Sequence, residues 1–165
     1  GSADGKNPAY IKAAERLGKT LAENNVELIY GAGHVGMMGA VARGALENGG
    51  RVIGIINTLL QDREKQIFKL TELKILPSLH IRKDAMFAAS DAFCVLPGGI
   101  GTLDEVFEIV TLKQIGEHSK PIIMFRRFDV SGIFTVGGAA KNAQGFNFRH
   151  NSLSCLKKSN TLFIL

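Results

Sequence analysis

A chain of 165 residues with 45% hydrophobic residues can bury one sizeable core, and no run approaches the roughly 20 apolar residues that a membrane-spanning helix needs. Its start lacks the basic and apolar regions of a secretory signal. Cys94 in an apolar run and Cys155 in a polar tail show no metal-ligand spacing, so the expectation is one soluble cytosolic domain, 1–165, with two free thiols. The formal charge of +5 does not argue for nucleic acid: residues 1–125 hold 14 Lys/Arg against 14 Asp/Glu, and the excess lies wholly in 126–165, without regularly interleaved aromatic residues.

In chain order, Asn7 can cap a helix that begins with Pro8 and buries Ile11, Ala14, Leu17 and Leu21 at helical spacing. Strands are expected at 27–30, 51–56, 75–79, 92–96 and 121–125. Helices are expected between them at 36–48, closed by Gly49 in a left-handed cap, at 82–90 and at 102–115. Short apolar runs alternating with amphipathic segments predict an α/β fold: a Rossmann-like doubly wound parallel sheet with helices on both faces. Such a fold would normally have just left its first strand where Gly1 and Ser2 stand. Either that strand is missing from this sequence, or the first two residues are additions to it. From Arg126 onward glycines interrupt the pattern, and only Leu162 to Leu165 form a short apolar run.

Two glycine turns follow strands and open helices. The first, from Gly31 through Gly33 to Gly36, matches the dinucleotide-binding pattern G-x-G-x-x-G. The strand after it ends at Ile56 and Asn57, where the pattern wants an acidic residue for a ribose hydroxyl. The glycines are therefore assigned either to helix-on-sheet packing or to a mononucleotide. In the second, Pro97 to Glu105, glycines 98, 99 and 101 permit close approach at the start of a helix, whose N–H groups and dipole suit a phosphate. Thr102 to Glu105 also reads as a capping box, which leaves Glu105 open between capping and chemistry. Arg82 and Lys83, at the start of the preceding helix, come off the same carboxyl edge of the sheet, where ligands of open α/β sheets collect. The histidines show no metal-ligand spacing, and no metal or cofactor is expected.

The segments GSADGKNPAY and YGAGHVGMMG, the Arg63-Glu64 pair, LHIRKDAM, and PGGIGTLDE followed by Thr111 together resemble the Lonely Guy (LOG) family, the cytokinin riboside 5′-monophosphate phosphoribohydrolases. The resemblance runs from Gly1 to about Phe125. It implies a homodimer that hydrolyses the bond between base and C1′ of an adenosine 5′-monophosphate bearing an N6 substituent. It further implies that Arg82 and Glu105 are the catalytic pair, and that Glu64, Lys83, Gly99, Ile100, Gly101, Thr102, Leu103, Asp104, Thr111 and Gly33 contact the nucleotide. Ile81 and Asp104 depart from the residues usual beside that pair and leave it intact. The alternative is a non-catalytic nucleotide or cofactor carrier of the same fold, which would need the glycine turn but not the pair. Such proteins have often carried the label lysine decarboxylase, yet no residue here argues for a pyridoxal phosphate site.

Overall fold

The computed structural model describes residues 8–61, 69–125, 133–136, 148–150 and 160–165. In chain order the elements are α1 (Ala9–Glu23), β1 (Glu27–Tyr30), α2 (Gly36–Leu46), β2 (Val52–Asn57), α3 (Thr58–Gln61), β3 (Glu72–Leu76), α4 (Leu79–Ala89), β4 (Ala92–Val95), α5 (Ile100–Gln114), β5 (Ile122–Phe125), β6 (Ile133–Val136), β7 (Phe148–His150) and β8 (Thr161–Ile164). The eight strands form one sheet in the order β3-β2-β1-β8-β4-β5-β6-β7. The first six in that order run parallel, and β6 and β7 extend the edge antiparallel.

Side chains alternate across each strand and so supply two cores, one on each face of the sheet. On one face Leu28 and Tyr30 of β1, Cys94 of β4, and Leu162 and Ile164 of β8 pack with Leu17 and Leu21 of α1 and Ala40 and Val41 of α2. On the other, Ile29, Ile53, Phe93 and Phe163 pack with Met86 of α4 and Val106 and Ile109 of α5. Helices therefore cover both faces, which is the doubly wound arrangement expected. Complete burial pushes the Cys94 thiol up to about 12, so it behaves as a small core hydrophobe.

Several expected boundaries move, most of all at the third strand and at the helices on either side of β4. The third strand is Glu72–Leu76 and not 75–79, because Pro77 lacks a donor and the Ser78 hydroxyl accepts from the Ile81 N–H at 3.2 Å, capping a helix that begins at Leu79. Arg82 and Lys83 consequently lie one turn inside α4 instead of opening it. Helix α5 begins at Ile100 with Gly99 as its N-cap, two residues before the expected start at Thr102. The second helix ends at Leu46, and Gly49 beyond it adopts φ +76° as expected. The Asn7 cap lies outside the described residues.

The larger surprise is β8. It pairs in parallel with β1 through Glu27↔Thr161 to Ile29↔Phe163, and with β4 through Ala92↔Leu162 to Cys94↔Ile164. A strand from a segment with little sequence pattern thus occupies the middle of the sheet. Asp91 fixes its entry, its carboxylate accepting from the N–H groups of Asn160 and Thr161 at 3.1 Å each. Because Leu162 is fully buried there, Leu162→Ala should cost about 3 kcal/mol of stability. Urea denaturation should show a lowered midpoint at unchanged slope.

Candidate active site

Strand order reverses between β1 and β4, on either side of β8, so the turns leaving these two strands open onto one crevice at the carboxyl edge. The turn after β1 holds Gly31 and the buried Gly33, with Ala32 at φ +63°, a region that residues bearing a side chain seldom occupy. Such strain persists only where surroundings enforce it and tends to collect at functional turns. The turn after β4 runs through Pro97 to Gly99. There Thr102 is buried and folds back over Gly98, where a Cβ would collide with its hydroxyl. At Gly99 and Gly101, by contrast, a Cβ would meet no described atom within 4 Å. The N–H groups of the first turn have no intrahelical acceptor, by the geometry of any helix start.

Arg82 crosses from α4 to this crevice. Its side chain is buried, Nε donates to the carbonyl of Ile55 in β2 at 2.8 Å, and Nη1 stands 3.6 Å from a carboxylate oxygen of Glu105. Since α5 begins at Ile100, Glu105 is its sixth residue, and the capping box expected from Thr102 to Glu105 does not form. Glu105 is thereby removed from capping. It is also too far along the helix for the dipole, which acts within the first turn, to keep it charged. The charge beside it that favours the ionised form is that of Arg82. Burial is the larger influence and raises the Glu105 carboxyl above its ordinary value, and the Arg82 charge opposes the rise. Burial likewise lowers the Arg82 guanidinium, with Glu105 opposing.

Lys83, the next residue, reaches α5 and donates to Asp104 at 3.1 Å and Glu108 at 2.7 Å. The hydrogen bond to Glu108 is the main influence raising its pKa. This clasp ties α4 to α5 beside the pair, a role that sequence reasoning did not anticipate for Lys83 or Asp104. Ile100 and Leu103 are exposed on the outer face of α5, and Phe107 and Thr111 continue that face one and two turns on. Thr111 therefore points away from Glu105. Arg63 and Glu64 lie outside the described residues. Among the described residues no group of His, Cys, Asp or Glu is arranged to hold a metal ion, and no helix is long and apolar enough to cross a membrane.

The sequence profile of the family described as "Possible lysine decarboxylase" matches residues 38–130, more than half of the chain. The chain belongs to that family. It is homologous to the LOG proteins: 45% identical over 122 residues to the probable cytokinin riboside 5′-monophosphate phosphoribohydrolase LOGL9 of Oryza sativa subsp. japonica, covering 74% of this chain and 54% of the relative. To the cytokinin riboside 5′-monophosphate phosphoribohydrolase LOG7 of Arabidopsis thaliana it is 43% identical over 122 residues, covering 74% and 56%. The chain spans about half the length of the curated relatives it matches. Among solved structures it resembles the molybdenum cofactor binding protein from Rippkaea orientalis, with TM-score 0.59 and 24% identity over 72% of this chain and 68% of that one. The molybdenum cofactor carrier protein from Chlamydomonas reinhardtii is similar, with TM-score 0.56 and 22% identity over 72% and 67%. Likeness at that identity shows a shared fold.

The family's description would call for a pyridoxal phosphate bound to a lysine amine of depressed pKa. The lysine beside the pair does not fit: Lys83 is clasped by two carboxylates that hold it protonated.

The raised Glu105 pKa has a consequence for stability. Between the ordinary carboxyl value of 4.5 and the raised folded value, the folded chain binds more protons than the unfolded one, so the contribution of Glu105 to stability falls as pH rises through that window. Urea midpoints measured from pH 4 upward should show this loss in the wild type and not in Glu105→Gln. Arg82→Gln should extend the window upward.

Proposed function

We propose that this crevice binds a nucleoside 5′-monophosphate and hydrolyses its N-glycosidic bond, releasing the free base and ribose 5-phosphate. The substrate class is adenosine 5′-monophosphate bearing an N6 substituent. The observation that carries the reading is the buried Arg82–Glu105 pair at the mouth of a glycine-rich helix start. A carrier would need the turn but has no use for a carboxylate kept charged by a braced arginine.

The open space over Gly99 and Gly101 supports a phosphate at the second turn, because packing among the described residues does not require glycine at either position and close approach of a ligand would. Ile100, Leu103 and Asp104 would border the bound nucleotide, with Gly33 across the crevice. Glu64 and Lys83 remain proposed contacts, Lys83 through the α4–α5 clasp. Binding the phosphate would position the distant reacting bond. As the C1′–N9 bond breaks, its electron pair leaves on the base and positive charge builds on the ribose. Glu105 stabilises that charge or takes a proton from the water whose oxygen bonds to C1′, and the proton then passes to the departing base. Arg82 keeps Glu105 ionised and oriented for either task. Intracellular nucleotide as substrate accords with a cytosolic location.

The functional unit in this reading is a homodimer. Ile100, Leu103 and Phe107 form an exposed apolar stripe on α5, continuous with the site, and Thr111 lies on the same outward face. A second copy docked there would cover the stripe and bring Thr111 to the partner's nucleotide.

Incubation with AMP and with isopentenyl-AMP, followed by chromatography for released base, tests the reaction; no base from either would sink it. Glu105→Gln should bind nucleotide and lose at least about 10²-fold in kcat. Near-normal turnover in that variant would remove Glu105 from the chemistry. Phe107→Lys should convert a dimer to monomers in sedimentation analysis, and a wild type that sediments as a monomer would end the dimer proposal.

A further inference from the structure

Gly31, the first residue after β1, faces the Arg82 guanidinium so closely that a Cβ there would collide with Nη2. The next nearest described atoms are the guanidinium carbon at 3.7 Å and the Met38 sulfur at 3.8 Å, both at ordinary contact distance. Gly31 is not among the residues with positive φ, so its backbone would accept alanine. What forbids a side chain is Arg82. The guanidinium, in turn, has little room to yield, since Nε is bonded to the Ile55 carbonyl, the side chain is buried, and Nη1 faces Glu105. Any retreat from a new methyl group must rotate the guanidinium and change its separation from that carboxylate.

We propose that Gly31 is a positioning residue: the absence of its side chain sets the placement of Arg82 against Glu105, so the first glycine turn acts on the reaction through Arg82. The inference rests on the reading that Arg82 and Glu105 perform the chemistry. It also gives the leading glycine of a turn that reads as a dinucleotide fingerprint a duty unconnected with dinucleotides. Among the described residues, the charged groups facing Glu105 are Arg82 and Lys83 from α4, with Asp84 bordering the same small cleft, and Asp104 and Glu108 on its own helix. The strand beneath, β8, presents Phe163 and, just beyond its end, Leu165. Arg82 is therefore the group through which a change at Gly31 reaches the carboxylate.

The test is a double-mutant cycle of Gly31→Ala and Arg82→Ala. It is read by the Glu105 carboxyl titration in carbon-13 NMR, assigned by loss of the signal in Glu105→Gln, and by kcat and KM on the nucleotide. Gly31→Ala should move the Glu105 midpoint upward, in the direction of Arg82→Ala. It should lower kcat by on the order of 10-fold to 100-fold with KM little changed, as expected for a small misplacement of a catalytic group. In the Arg82→Ala background, Gly31→Ala should shift the midpoint no further. An unmoved midpoint in Gly31→Ala, or a further shift in the double variant, would overturn the proposal. If Gly31→Ala alone does not fold, folding of the double variant supports the collision with Arg82, and failure of both overturns it. The titration needs no turnover, so a wild type without hydrolysis would sink the functional reading and leave this coupling separately measurable.

Discussion

Pairing of β8 with both β1 and β4 is the constraint on which the molecule depends. Among the described residues, the half-sheets β3-β2-β1 and β4-β5-β6-β7 are joined through this four-residue strand. Adjacent strands lie about 4.8 Å apart, so one intervening strand sets the turns after β1 and β4 roughly 10 Å apart at the same edge. The crevice between those turns exists because β8 fills the middle of the sheet. Its alternating side chains also join both cores, Leu162 and Ile164 on the α1–α2 face and Phe163 on the α4–α5 face. Long-range pairing of this kind brings together segments 134 residues apart at Glu27↔Thr161 and 70 apart at Ala92↔Leu162, and its loop-closure cost is met only when both neighbours are in place.

On that frame the site is held by one buried arginine. Arg82 connects three elements at once: α4 by its backbone, β2 through the Ile55 carbonyl, and α5 through Glu105. A buried ion pair of this sort adds little net stability, because desolvation of both charges offsets their attraction. Its value is in setting a charge state. Burial raises the Glu105 carboxyl above its ordinary value, and the neighbouring guanidinium opposes that rise in favour of the carboxylate that the proposed hydrolysis uses. The Lys83 clasp to Asp104 and Glu108 fixes the other side of the same helix junction, so two adjacent cations on α4 serve one contact with α5 in different ways.

The chain is homologous to the LOG proteins and shares its fold with molybdenum cofactor carriers. The shared sheet does not decide between them, since function resides in the site and not in the fold. The local feature on which the proposed reading rests is the buried Arg82–Glu105 pair, whose carboxylate stands on the helix that opens at Gly99.

The sequence by itself determined most of the elements up to Phe125 and nominated the chemistry they carry. Periodicity located β1 to the residue, and apolar runs located β2, β4 and β5 to within one residue at each end, because patterns over neighbouring residues are local properties. The residue types at 82, 83, 99, 101 and 105 likewise nominated a candidate site, of which the structure brings Arg82 and Glu105 together. Sequence did not yield the starts of α4 and α5, where Ser78 and Gly99 outcompeted the expected positions, nor therefore the release of Glu105 from a capping box. Nor did it yield the central place of β8, since a short apolar run carries no mark of which edges it will pair with. Only tertiary structure decided that, along with the closeness of Gly31 to Arg82. Both are relations between residues far apart along the chain, fixed by which backbone edges remain unpaired and which atoms compete for one volume.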